Sequence, residues 1–81
     1  MLTTYIQAAM RQAKYEILSD DGSFYGEIPD FQGVWANAFT LEQCREELQS
    51  ALEDWTLVRI SDRLPLPIID GIEIVIKEAD S

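Results

Sequence analysis

The side chains best placed for chemistry are the carboxylates between Glu16 and Asp30. Asp20 and Asp21 are adjacent, in the run Asp20-Asp21-Gly22-Ser23-Phe24-Tyr25. A calcium loop needs oxygen ligands at alternate positions and a late bidentate glutamate, and this run has neither. A turn with solvated carboxylates accounts for the pair, because Asp, Gly and Ser are turn residues. Glu16, Glu27 and Asp30 suggest two-metal nuclease chemistry, which needs several carboxylates aimed at one point. The alternation of the chain places Glu16 across a hairpin from Glu27, where like charges repel unless a cation sits between them. No third element supplies a convergent ligand. A nuclease of this kind predicts divalent-metal binding and activity lost in Glu27→Gln; the preferred expectation is no metal, no cofactor and no catalytic residue.

Cys44 is the only cysteine, and the chain has no histidine. Histidine-dependent triads and the common zinc sites are therefore excluded. Near a helix N-terminus a thiolate would be stabilised. Cys44 also fits a small core residue beside Leu48 and Phe39, and that is the simpler reading. A single thiol forms no internal disulfide and gives no sign of an oxidising compartment.

Charge points to binding instead. Six basic residues stand against fifteen acidic ones, a formal net charge of -9. Affinity for nucleic acid is built largely from Lys and Arg contacts to phosphate, so direct binding to DNA, RNA or an anionic membrane is disfavoured. A basic protein is the natural complement. Trp35 should share one sheet face with Leu18 and Tyr25, an apolar patch ringed by acids. Asp20, Asp21, Glu27, Asp30 and Trp35 are the candidate contact residues. The competing reading of that patch is an interface between copies.

These residues must be positioned by a small α+β fold of order α-β-β-β-α-β. At 81 residues, 47% hydrophobic, the chain has material for one domain over 1–81 with a compact core. Residues 1–13 read as a helix, with Leu2, Tyr5, Ile6, Ala9, Met10 and Ala13 on one side and Thr3 or Thr4 as N-cap. From Lys14 the period becomes two, and residues 14–38 read as a three-stranded meander. Asp21-Gly22 is a tight primed-turn signal, and Pro29 ends the second strand at Ile28. The third strand covers Val34 to Ala38.

A long helix follows over 40–62. Thr40 and Gln43 have the spacing of a capping box, with Phe39 and Cys44 as its staple. Leu41, Cys44, Leu48, Ala51, Leu52, Trp55 and Val58 form its apolar stripe, opposite Glu42, Glu46 and Glu53. Leu57 and Ile60 project away from that stripe and call for a second covering surface. Leu64-Pro65-Leu66-Pro67 is expected to be extended. Asp70-Gly71 turns the chain into a last strand over 72–78, which either closes the sheet edge or pairs with another copy. No apolar run approaches the ~20 residues that cross a bilayer, and no signal peptide is evident, so a cytoplasmic protein is expected.

The runs Tyr15-Glu16-Ile17-Leu18, Phe24-Tyr25-Gly26-Glu27-Ile28-Pro29-Asp30-Phe31-Gln32-Gly33-Val34-Trp35-Ala36 and Thr40-Leu41-Glu42-Gln43-Cys44, with the intervening Asp20-Asp21-Gly22, resemble the HicB antitoxin family. The tail Leu64-Pro65-Leu66-Pro67-Ile68 is similar to its short, stand-alone branch. The resemblance implies a partial RNase H-like domain without its catalytic acids, with similarity to double-stranded-RNA-binding folds. It also implies that the chain neutralises a small basic HicA-type mRNA-cleaving toxin by direct contact. Longer members add a C-terminal DNA-binding domain, which is not expected here. Gln32 replaces a frequent Pro, and Gln43-Cys44 a frequent Glu-Ala. A domain this small is expected to form a homodimer or higher oligomer. The alternative is an orphan oligomeric scaffold or small-ligand-binding module without a toxin.

Overall fold

The computed structural model describes residues 2–72. Within them the order is α1 (Leu2–Arg11), β1 (Lys14–Ile17), β2 (Phe24–Glu27), β3 (Trp35–Ala38) and α2 (Leu41–Ser61). The three strands form one antiparallel sheet in the order β1-β2-β3, and the α+β class is as expected. The expected last strand, 72–78, lies outside the described residues apart from Ile72.

The sheet is a meander because each connection is short and carries its own turn chemistry. Leu18 N donates to Ser23 O at 2.8 Å and Gly22 N to Leu18 O at 2.9 Å, closing a four-residue loop over 19–22. Gly22 alone in it has positive φ, at 73°. Both primed two-residue turns require positive φ at the first central residue, which Asp21 lacks, so Asp21-Gly22 does not form the tight turn its sequence suggests. That turn occurs at Asp70-Gly71 instead. There φ is 51° and 75°, and Ile69 and Ile72 exchange both backbone hydrogen bonds.

α2 begins as anticipated. The Thr40 side chain accepts from Gln43 N at 3.1 Å. The reciprocal half of the box is missing, because Gln43 Nε2 donates to Glu47 Oε2. The staple is absent too: Phe39 is 73% exposed while Cys44 is fully buried against the sheet. The helix ends in a Schellman motif, with Arg63 N on Ile60 O and Leu64 N on Arg59 O. Arg63 takes the left-handed position that glycine usually fills, at φ 58°.

The core lies between α2 and the sheet, with α1 docked beside α2 in the same chain. Its buried α2 row is Cys44, Leu48, Leu52 and Thr56, spaced four apart. Leu41 and Val58 belong to the expected stripe but are exposed. The 21-residue helix is about 31 Å long at 1.5 Å per residue, and four-residue strands cannot cover its two ends. On α1 the buried residues are Tyr5, Ile6, Ala8 and Ala9. Ala8 was not on the expected face. Thr3 and Thr4 lie inside the helix and do not cap it, and the helix stops at Arg11 rather than residue 13.

An aromatic row ties the layers together. Phe31 meets Tyr5 edge-on at 6.1 Å and Trp55 edge-on at 5.0 Å. The extended tail then covers this row: the Tyr5 hydroxyl donates to Pro67 O, Arg59 Nε donates to Pro65 O at 2.9 Å, and Ile69 is buried. The second surface expected for the end of α2 is thus partly supplied by residues 64–72, although Leu57 stays exposed.

Candidate partner-binding face

α2 packs on one side of the sheet and α1 packs on α2, while side chains on the sheet's other side are exposed. Strand alternation decides which side chains stand there. The ladders pair Lys14 with Glu27 and Glu27 with Trp35, then Glu16 with Tyr25 and Tyr25 with Asn37. These two rows form the outer face. Tyr15, Gly26 and Ala36, with Ile17, Phe24 and Ala38, form the rows turned toward α2.

Trp35 is 56% exposed on the outer face. Its ring stacks on Tyr25 at 6.2 Å and 23° between planes. The Tyr25 hydroxyl donates to Glu27 Oε1 at 3.2 Å. Slight burial, then the Glu27 hydrogen bond and the charges of Glu27 and Glu16, push the Tyr25 phenol up. Asn37 Nδ2 donates to Ser23 Oγ and to Phe24 O, both at 2.9 Å, which fixes the far corner. A hollow of about 150 Å³, lined in part by Tyr25, Glu27, Pro29, Gln32 and Trp35, opens beside the ring pair.

The structure brings Glu27 and Trp35 together as ladder neighbours, and Asp30 stands exposed in the loop that joins their strands. Asp20 and Asp21 are exposed in the β1–β2 loop, at the opposite end of the sheet. The Ser23 hydroxyl and amide hold the Asp21 carboxyl below its usual range, and Ser23 N donates to its Oδ1 at 3.0 Å. Asp21 is thus committed to shaping the loop. The expected facing of Glu16 and Glu27 does not occur, since Glu16 opposes Tyr25 and Glu27 opposes Lys14. The six-residue connection from Ile17 to Phe24 sets this register, and it spreads the carboxylates apart. Among the described residues no group of three His, Cys, Asp or Glu side chains gathers closely enough to hold a metal ion.

Tyr25, stacked on Trp35 and bonded to Glu27, stands among the candidates on this face although it was not one of them. The signal was available in the alternation that put it on the Trp35 side. Cys44 is buried, with Sγ 3.6 Å from Ala36 O. Burial, and then the negative charge of Glu47, push its thiol up, the opposite of an activated nucleophile. No helix among the described residues is long and apolar enough to cross a membrane.

The model of the UPF0150-like family matches residues 4–67. The crystal structure of TTHA0281 from Thermus thermophilus is similar over 95% of this chain and 95% of that one, at 42% identity and a TM-score of 0.89. No curated protein matches the chain.

Proposed function

Because the chain belongs to the UPF0150-like family, we propose that it is a HicB-type antitoxin that neutralises a small basic HicA-type ribonuclease by direct contact, without chemistry of its own. The observation that carries this reading is the exposed Tyr25–Trp35 stack bordered by Glu16 and Glu27. A guanidinium or ammonium group can lie on the open ring face while a carboxylate accepts its N–H bonds. Cation–π contact contributes about 0.5–2 kcal/mol, more as water is excluded. Tryptophan and tyrosine also supply the apolar area typical of dominant interface residues.

Long-range charge does the rest. A net charge of -9 draws a basic partner in and discourages RNA from competing for the same face. Cationic side chains engaged by this face are no longer available to phosphates, so toxin contact and loss of RNA cleavage are one event. A second reading, a small-ligand-binding module, draws on a groove of about 290 Å³ between α1 and α2, lined in part by Leu2, Ile6, Gln7 and Thr56, the last with a buried hydroxyl that has no hydrogen-bond partner among the described residues.

The test is co-expression with the small basic ribonuclease encoded in a neighbouring reading frame. The wild-type chain should restore growth and block RNA cleavage in the purified pair. Trp35→Ala and Glu27→Lys should keep the fold and weaken the complex at least about 30-fold, the loss of one dominant contact. Cleavage that continues in the presence of the wild-type chain, or full protection by both variants, contradicts the proposal.

A further inference from the structure

α1 and α2 pack on each other, and the groove of about 290 Å³ between them has a distinct chemistry on each wall. Leu2 and Ile6 of α1 and Leu57 of α2 supply the apolar surface. Leu2 and Leu57 are exposed, so a ligand that covers them gains from burial. The volume stands at the small end of ligand pockets, which run from about 300 to 1,000 Å³, so the occupant is a small molecule.

Two polar groups of α2 line the same groove. Glu53 is the one charged side chain among the described residues that line it. Its Oε2 accepts from Gln49 Nε2 at 3.2 Å, one turn earlier, which steadies the carboxylate. A carboxylate has acceptor capacity beyond that single bond. Thr56 stands three residues after Glu53, hence beside it on the helix, and is 1% exposed. Its hydroxyl has no hydrogen-bond partner among the described residues. A threonine in a helix divides between two χ1 rotamers, so a hydroxyl in the wall of a groove can turn to meet a group placed there. Meeting one removes the penalty of a buried unpaired hydroxyl, a gain realised only on binding.

We propose that this groove binds a small primary amine with an apolar body, its ammonium held between Glu53 and Thr56 and its carbon chain along Leu2, Ile6 and Leu57. The polar groups select the head. An ammonium donates three hydrogen bonds and accepts none, while a carboxylate only accepts and a hydroxyl can accept. A carboxylate head would meet Glu53 as a like charge, and the net charge of -9 extends that selection to the approach. A neutral alcohol satisfies Thr56 but forgoes the charge of Glu53. The inference deepens the small-ligand reading of the groove and rests on that reading alone. None of the lining residues belongs to the outer rows of the sheet, so amine binding and toxin inhibition are separate properties of the chain.

Hexylammonium, 1-hexanol and hexanoate, titrated into the full chain at physiological ionic strength, test it. NMR follows the methyl groups of Ile6, Thr56 and Leu57, and thermal melts follow the stabilisation. Hexylammonium should shift those methyls saturably and raise Tm with concentration. The alcohol should bind about tenfold more weakly, and hexanoate more weakly still. Thr56→Val should weaken hexylammonium about tenfold although the free variant melts higher than wild type, a divergence that a merely structural threonine would not produce. Glu53→Gln should lower the amine to the affinity of the alcohol. Alcohol binding as tight as that of the amine overturns the choice of head group and keeps the groove as a ligand site. Amine binding that neither substitution weakens also overturns the proposal, and assigns the amine to the acidic surface at large. No saturable shift with any of the three probes overturns the small-ligand reading together with the proposal.

Discussion

Thr56 sits on the buried row of α2, four residues after Leu52, and is 1% exposed. Its Oγ1 meets no hydrogen-bond partner among the described residues. A buried hydroxyl without a partner costs about 1–3 kcal/mol. Thr56→Val exchanges that hydroxyl for a methyl group of nearly the same shape, keeps the stiffness of a β-branched residue, and leaves helix propensity almost unchanged. The net change should be a stabilisation of about 1 kcal/mol, which raises Tm by roughly 4–8 °C in a domain of this size. Thr56→Ser is the control, because it retains the hydroxyl and loses a buried methyl worth about 0.8 kcal/mol. Thermal melts followed by circular dichroism, with urea titrations to confirm an unchanged m-value, measure both. A Tm lowered by Thr56→Val would refute the reasoning, since it would mean that the hydroxyl is satisfied within the groove between α1 and α2.

Other consequences are equally open to measurement. A Cβ at Gly26 would lie 2.9 Å from two Tyr15 ring atoms and 3.3 Å from Cys44 Sγ, so Gly26→Ala should destabilise by about 1–3 kcal/mol in urea. Most of that penalty should vanish in a Tyr15→Ala background, and an equal penalty there would place the clash elsewhere. Burial, opposed by Arg59, raises the Tyr5 phenol, and burial raises that of Tyr15. The folded chain therefore keeps these groups neutral where the unfolded chain ionises, near pH ~10. Their contribution is complete below that value and is lost as pH rises through it toward the folded values, so urea midpoints should fall in alkali. A flat alkaline profile would contradict this. Cys44 should react with a thiol reagent only at the rate of unfolding, and immediate labelling of the native chain would contradict its burial.

The parts legible in the sequence were those fixed by local chemistry. Thr40 marked the start of α2, and Pro29 and the alternation from Lys14 marked the strands, because capping and φ restriction act within a few residues. What depended on packing was not legible. The buried row of α2 steps by four through Thr56, whereas hydropathy favoured Val58. The choice depends on how the helix crosses a sheet much shorter than itself. Asp21-Gly22 and Asp70-Gly71 are the same dipeptide, yet only the second makes the primed turn. The first lies in a connection whose length was set by the pairing of Ile17 with Phe24.

That register also governs the candidate site. A hairpin closed two residues earlier or later would bring different carboxylates opposite one another, so the facing of Glu16 and Glu27 could not be read from spacing. Trp35 was legible because alternation with Val34 and Ala36 puts it on the outer side regardless of register. Its stacking on Tyr25 required the β2–β3 ladder.

The chain's two tryptophans offer the most direct test of the outer face as a protein-binding surface. Trp35 stands on that face, while Trp55 is half-buried under Phe31 and the Arg59 guanidinium, 4.8 Å from its ring. The indole N–H resonances of both can be followed by NMR as the small basic ribonuclease is added. The Trp35 resonance should shift or broaden in step with inhibition while that of Trp55 stays in place. Inhibition with the Trp35 signal unmoved would contradict it.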